Sequence, residues 1–192
     1  PMTPLIYDAG RTQRIYAGQS VAQALNTELT RLGAKRAFLI ASRSVLTEAV
    51  HQGLRTELGE RWVGVHTGIP AHGPQEAVLK AVLAARAAQA DVLISVGGGT
   101  PIDAAKVVQA ALTHGVETLA DLRALALPAL NGPSNLDAQR VGGIRSIAVP
   151  TTLSGAEFAS LAGALNTDLK QKQGYNRPDL APVAVVFDAA LG

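Results

Sequence analysis

Three consecutive glycines, Gly97, Gly98 and Gly99, sit inside the stretch DVLISVGGGTPIDAAKVVQAAL, residues 91–112. Val92, Leu93, Ile94 and Val96 before them read as a strand buried on both faces, and Ile102, Ala105, Val108 and Leu112 after them recur at helical spacing. The chemistry open to glycines in that place is anion binding. Without Cβ atoms a ligand can approach the main chain closely. Free N–H groups of the turn and of the first helical turn then point at a negative charge, and a pyrophosphate suits them. The competing reading is a tight strand-to-helix turn that needs positive φ, for which one glycine suffices. The spacing is neither G-x-G-x-x-G nor a phosphate loop, because Lys106 falls too far into the helix. Thr100 is expected to cap the helix, Pro101 to take its first position, and Asp103 to complement the dipole in its first turn.

Other residues that could do chemistry stand at strand ends. Residues 144–149 read as a buried strand that stops at Pro150, followed by Thr151 and Thr152, whose hydroxyls suit a phosphate or sugar or simply a Ser/Thr turn. Ser42 and Arg43 follow the apolar strand at residues 36–41. An acidic residue at such a strand end would favour NAD through the ribose 2′-hydroxyl. None is present, and Arg43 can either accept a 2′-phosphate or remain solvated, so NAD and NADP both stay open. The four histidines, His51, His66, His72 and His114, do not pair at i, i+3 or i, i+4 with a second ligand, so no metal site is evident.

The elements that position these residues alternate. Residues 5–7 and 14–17 read as short strands. Ser20 and Gln23 open a helix that Gly33 closes, and its apolar face is Val21, Ala24, Leu25, Leu29 and Leu32. Ser44 is expected to cap a helix running to Leu58, with Gly59 as its stop. A strand at 62–66, a helix from Gly73-Pro74 to about Ala90, a weaker helix at 117–127 and a Gly/Pro/Asn-rich loop at 128–143 follow. Residues 161–166 and Tyr175 flank a polar turn and suggest a hairpin; 183–187 is a last strand. Alternating strands and helices predict an α/β fold, a Rossmann-like parallel sheet flanked by helices, with its ligand outside the carboxyl ends of the strands.

Composition narrows the classes. A chain of 192 residues with 47% hydrophobic and 17% charged residues is globular. Net charge is +2 without a basic run, and aromatics are 4%, so a nucleic-acid partner is not expected. With no cysteine, disulfides and thiolate metal sites are excluded. No apolar run reaches the length of a membrane span and the N-terminal residues do not read as a signal peptide, so no membrane and a cytoplasmic location are expected.

Two segments together carry a resemblance. GGGTPIDAAK (97–106) and VPTTLSGAEF (149–158) resemble the iron-containing alcohol dehydrogenases, a family that includes glycerol dehydrogenases and maleylacetate reductases and is similar in fold to dehydroquinate synthase. Gly18 and Ser20, Lys172-Gln173-Gly174, Leu180, Pro182 and VVFD (185–188) extend it over essentially the whole chain. The resemblance implies an NAD(P)-dependent oxidoreductase moving hydride between a nicotinamide and an alcohol/carbonyl substrate. It also implies that the helical domain holding the Fe or Zn ligands and much of the substrate pocket is absent from residues 1–192. Asp188 is then not the metal-binding aspartate. Gly97, Gly98, Gly99 and Thr100 would hold the pyrophosphate and Asp103 would face the nicotinamide. Thr151 and Thr152 would meet adenosine or phosphate, Lys172 would bind ribose hydroxyls, and Ser42 would lie at the adenosine ribose. Lys172 as a solvated loop lysine and Asp103 as a dipole complement stay open beside these roles.

His72, before Gly73-Pro74, resembles an H-x-P element of the maleylacetate reductase branch, where it would meet substrate; a surface-loop histidine is the alternative. Ala156 stands where that branch has serine. A dehydroquinate synthase-like lyase and a non-catalytic nucleotide-binding module are the other classes; against the first, no D-x-x-x-G-G-K follows Leu153. By itself the chain is expected to bind nucleotide and to leave hydride transfer silent. Apolar surface where the helical domain would dock should favour a homo-oligomer.

Overall fold

The computed structural model describes residues 5–9, 12–128, 135–136 and 142–191. The loop expected at 128–143 lies largely outside the described residues. Strands β1 (Leu5–Ala9), β2 (Thr12–Ala17), β3 (Ala37–Ala41), β4 (Trp62–Thr67), β5 (Val92–Gly97), β6 (Arg145–Pro150) and β9 (Ala184–Phe187) build one sheet in the order β1-β2-β9-β6-β5-β3-β4. Only the β1–β2 pair is antiparallel; the other five neighbouring pairs are parallel. Strands β7 (Leu161–Asn166) and β8 (Gln171–Asn176) form a separate antiparallel hairpin, with Ala162 opposite Tyr175 and Leu165 opposite Lys172.

Both faces of the central strands β3, β5 and β6 are covered, which is why they read as largely apolar runs. Helices α1 (Val21–Leu32) and α2 (Glu48–Leu58) pack Leu25, Leu29, Leu54 and Leu58 on Leu39, Ile94, Ile147 and Val149. Helices α3 (Gln75–Ala87), α4 (Gly99–His114) and α5 (Leu119–Ala124), with the hairpin, pack Val78, Val82, Val108, Leu122 and Tyr175 on Ile40 and Leu93. Ser95 is the polar residue of β5, and its hydroxyl donates to the Ile147 carbonyl at 3.3 Å. Among the described residues no helix is long and apolar enough to cross a membrane.

The crossovers leave β3 and β5 in opposite directions. Through α2 the chain passes from β3 to β4 at the sheet edge, whereas beyond α4 it reaches β6 on the other side. The carboxyl ends of β3 and β5 are adjacent and bound a crevice there, the switch point at which open α/β sheets take ligands.

Helix ends follow local chemistry, with two corrections. Ser20 caps α1, its hydroxyl accepting from the Gln23 N–H, and Gly33 closes it in the left-handed region at φ 67°. Thr47, not Ser44, caps α2; the Ser44 hydroxyl is engaged with that of Ser42 at 2.8 Å. Gly98, not Thr100, is the N-cap of α4, so Thr100 and Pro101 lie inside the first turn and Asp103 lies beyond it. Pro101 sits where a side-chain cap would normally receive an N–H; a glycine cap has no such oxygen, so nothing is forfeited.

Two acids, one buried and one half-buried, make contacts that the apolar pattern does not show. Glu28 is fully buried on the α1 face; it accepts from the Tyr16 hydroxyl at 2.7 Å and pairs with Arg31. Asp188 accepts from the Val21 N–H at 2.9 Å and from Ala190, fastening the end of β9 to the start of α1. Asp188→Ala therefore removes a second cap from α1. A loss of about 1 kcal/mol is expected in chemical denaturation with an unchanged m-value, and unaltered stability would mean that Ser20 alone suffices.

Candidate functional site

Gly97 is buried at the end of β5 with φ 138°, and a Cβ there would lie 2.8 Å from both the Pro101 ring and the Ser42 Cβ. Backbone geometry thus demands this glycine. The next two differ. Gly98 has an ordinary φ of −81°, and its Cβ would come 3.1 Å from the Thr152 hydroxyl. At Gly99 the nearest atom would be the Ser154 Cβ at 3.4 Å. Turn geometry explains one glycine of three; the other two keep a bare main-chain surface beneath the β6 loop.

That surface is one wall of a cavity of about 580 Å³. Gly98, Gly99, Thr100 and Pro101 come from the start of α4, Ser42, Arg43 and Ser44 from the end of β3, Gly68 and Pro70 from beyond β4, and Thr152 from beyond β6. Gly98 supplies no capping side chain. The first-turn N–H groups of Gly99 and Thr100 have no intrahelical acceptor by geometry and carry the positive end of a helix of 16 residues. The Arg43 guanidinium lies across Gly68, where any Cβ would strike it at about 2.5 Å. A polyanionic ligand entering here would meet main-chain donors on one side and two hydroxyls and a guanidinium on the other.

Asp103 and Lys172 line a second cavity, of about 320 Å³, with Gly163 and Gly174 of the hairpin. Asp103 stands one helical turn along α4 from Gly99. Its Oδ2 accepts from the Gly163 N–H at 3.2 Å and from Lys172 Nζ at 3.3 Å, and its Oδ1 lies 3.7 Å from Lys106 Nζ. Lys106 is fully buried; its ammonium donates to the carbonyls of Ala156 and Leu161 at 2.5 and 3.1 Å. Burial pushes its pKa below the usual lysine value, and Asp103 opposes that shift. By sequence Lys106 falls too deep in the helix for a phosphate loop. The signal was there: a lysine three residues after an aspartate in an otherwise apolar, alanine-rich helix is enclosed and paired.

The remaining expected residues separate. Thr151 donates its N–H to Gly97 at 3.0 Å, but its side chain lies in a shallow hollow with Leu153, Phe187 and Asp188. His72 is exposed at φ 64°, and its carbonyl accepts from Leu165 at 3.2 Å. It lines neither of the two cavities. The His51 ring is tilted against that of Trp62 with centroids 5.2 Å apart, and His114 contacts the Ala110 carbonyl at 2.9 Å. Burial, reinforced by Lys80, pushes His66 below the usual histidine range. Among the described residues no three His, Cys, Asp or Glu side chains gather as a metal site.

The fold and these two cavities define a doubly wound α/β domain whose ligand crevice is floored by glycine. The chain belongs to the iron-containing alcohol dehydrogenases, a family of oxidoreductases, whose model matches residues 12–189. It is 31% identical over 184 residues to maleylacetate reductase 2 of Cupriavidus pinatubonensis, covering 96% of this chain and 39% of that protein. The crystal structure of maleylacetate reductase from Rhizobium sp. superposes with a TM-score of 0.69 at 25% identity, over 99% of this chain and 44% of that one. Sulfoacetaldehyde reductase from Bifidobacterium kashiwanohense, solved in complex with NAD+, shares the fold at a TM-score of 0.77 and 18% identity, over 92% of this chain and 44% of that one. The chain thus spans about two fifths of the length of these relatives.

The Lys106 shift fixes the sign of a pH effect. Because the folded state holds this proton less tightly than the unfolded one, the contribution of Lys106 to stability is least favourable at neutral pH. It improves as pH rises through the lowered folded value toward the ordinary ~10.4. Stability of the native chain relative to Lys106→Met is expected to increase as pH rises over the alkaline range toward ~10.4, as read by urea midpoints. A difference that shrinks over that range would contradict the assignment.

Proposed function

We propose that this chain is the dinucleotide-binding part of an NAD(P)-dependent oxidoreductase that moves hydride between a nicotinamide and an alcohol/carbonyl substrate, in the manner of a maleylacetate reductase. The observation that carries this reading is the crevice at the β3/β5 switch point, where the uncapped start of α4, the bare Gly98–Gly99 main chain and the Ser42–Ser44 strand end converge. The family match and the similarity to two maleylacetate reductases support the reaction class.

In this reading Gly98, Gly99 and Thr100 hold the pyrophosphate through main-chain N–H groups and the helix dipole. Ser42 and Ser44 meet the adenosine ribose, Arg43 admits a 2′-phosphate, and Thr152 closes over the phosphates. Lys172, braced on Asp103, reaches the hydroxyls of the second ribose, so the nicotinamide end lies over the hairpin cavity. The nicotinamide itself, when bound, carries the hydride; the chain binds and orients it. Residues 1–192 act as one dinucleotide-binding unit, and the metal ligands and much of the substrate pocket belong to a helical domain of the whole protein outside them.

Gly98→Val is the direct test. The ordinary φ at this position and the single close neighbour leave room for a folded variant, while a β-branched side chain fills the phosphate approach. Calorimetry is expected to show NADH binding abolished with the melting transition retained; unchanged affinity in the folded variant would remove the proposal. Cofactor choice has its own test. With no acid at Ser42 or Arg43, discrimination between NAD and NADP should stay below about 100-fold, at ~1.4 kcal/mol per tenfold. Ser42→Asp should then move the ratio toward NAD, and if the ratio does not move, the β3 end is not the ribose site.

A further inference from the structure

The hairpin that carries Lys172 has two faces. Lys172, Gln173 and Gly174 line the cavity, while Tyr175, opposite Ala162, turns inward into the α3–α5 cluster. The inward face meets a closed polar network in an apolar setting. Gln75 opens α3 and is fully buried; its amide nitrogen donates to Gln173 Oε1 and to the Tyr175 hydroxyl, both at 2.9 Å. The Tyr175 hydroxyl donates in turn to the Leu122 carbonyl of α5 at 3.3 Å. The Gln75 carbonyl oxygen accepts from Arg123 Nε at 3.2 Å, and Arg123 reaches Asp168 in the hairpin turn at 2.7 Å. Asn166 donates to the same Gln173 oxygen at 3.0 Å.

Every polar atom of the Gln75 amide is engaged, with α3, α5 and β8 meeting at one side chain and β7 joined to it through Asn166 and Gln173. Burial raises the Tyr175 phenol to about 12, so it remains a neutral donor throughout the working range. Removing one member leaves buried donors or acceptors without partners, a cost that a looser apolar contact would not carry.

Building on the dinucleotide reading above, we propose that the Gln75–Tyr175–Arg123 network is a positioning device for cofactor binding: it sets the roll of the β7–β8 hairpin and so holds Lys172 Nζ within reach of Asp103 and of the ribose next to the nicotinamide. These residues touch no ligand. They act through Lys172 on the opposite face of β8, and the adenosine half of the site, built on β3 and the start of α4, lies outside their reach. A residue that only stabilised the fold would weaken both halves alike; a positioning residue weakens the dinucleotide and spares the mononucleotide.

The test compares NADH with AMP by calorimetry on the 192-residue chain and its variants. Tyr175→Phe, which removes the hydroxyl and keeps the ring, is expected to weaken NADH about tenfold, the equivalent of ~1.4 kcal/mol, and to leave AMP within about twofold. Lys172→Ala should show the same split. Arg123→Met removes only the outermost, partly exposed tie, and gives a smaller split in the same direction should Tyr175→Phe fail to fold. Equal loss of both ligands, or NADH affinity unchanged in the folded variants, would overturn the positioning role while leaving the dinucleotide reading in place. Failure of the native chain to bind either ligand would remove that reading as well.

Discussion

A buried ammonium group holds the functional end of this domain together. Lys106 Nζ sits inside the protein with the carbonyls of Ala156 and Leu161 as acceptors and Asp103 nearby. Those carbonyls bracket the segment joining the β6 loop to the hairpin, so one side chain of α4 fixes both. A lysine is suited to this work because its three donors radiate from a point and can satisfy carbonyls on separate segments at once. Desolvation makes the arrangement demanding, since the charge is tolerable only while all of its partners are present. The Thr152 wall of one cavity and the Lys172 wall of the other therefore depend on the same group.

Much of the architecture was legible because it is encoded locally. The double-sided burial of β3, β5 and β6 shows as largely apolar runs, Ser20 and Gly33 frame α1 as their side chains dictate, and the hairpin shows as two short runs about a polar turn. The crevice was legible too, as a glycine turn at a strand end. What failed was fine register at helix starts. Ser44 and Thr47 are both competent caps; the Ser44 hydroxyl is engaged with that of Ser42 two residues earlier, and Thr47 accepts the Val50 N–H instead. Thr100 lost to Gly98 because the sharp exit of the chain from Gly97 starts the helix early.

The polar core was hidden for a different reason. Glu28 and Gln75 interrupt or adjoin apolar patterns, and a pattern read along one element assigns such residues to its solvated side. Partners that bury them lie on other elements: Tyr16 for Glu28 and Tyr175 for Gln75. Spacing along the chain carries no record of these pairings. The same limit separated Asp103 from its expected place beside a helix dipole and gave it instead to the hairpin.

The position of β2 in the sheet has a kinetic consequence. Its parallel partner is β9, with Arg14 opposite Ala184 and Ala17 opposite Phe187, and the Asp188–Val21 bond spans 167 residues of sequence. Until β9 has left the ribosome, the β1–β2 ribbon has no parallel neighbour and α1 lacks part of the floor on which it packs. The nascent chain can assemble β3, β4 and β5 with their helices early, because these contacts are close in sequence. It must then keep the β1–β2 ribbon waiting for β9. Closing so long a loop is slow, and an unsheltered strand edge is what chaperones and neighbouring nascent chains bind. Synthesis from one end to the other thus runs against the order in which this sheet can close.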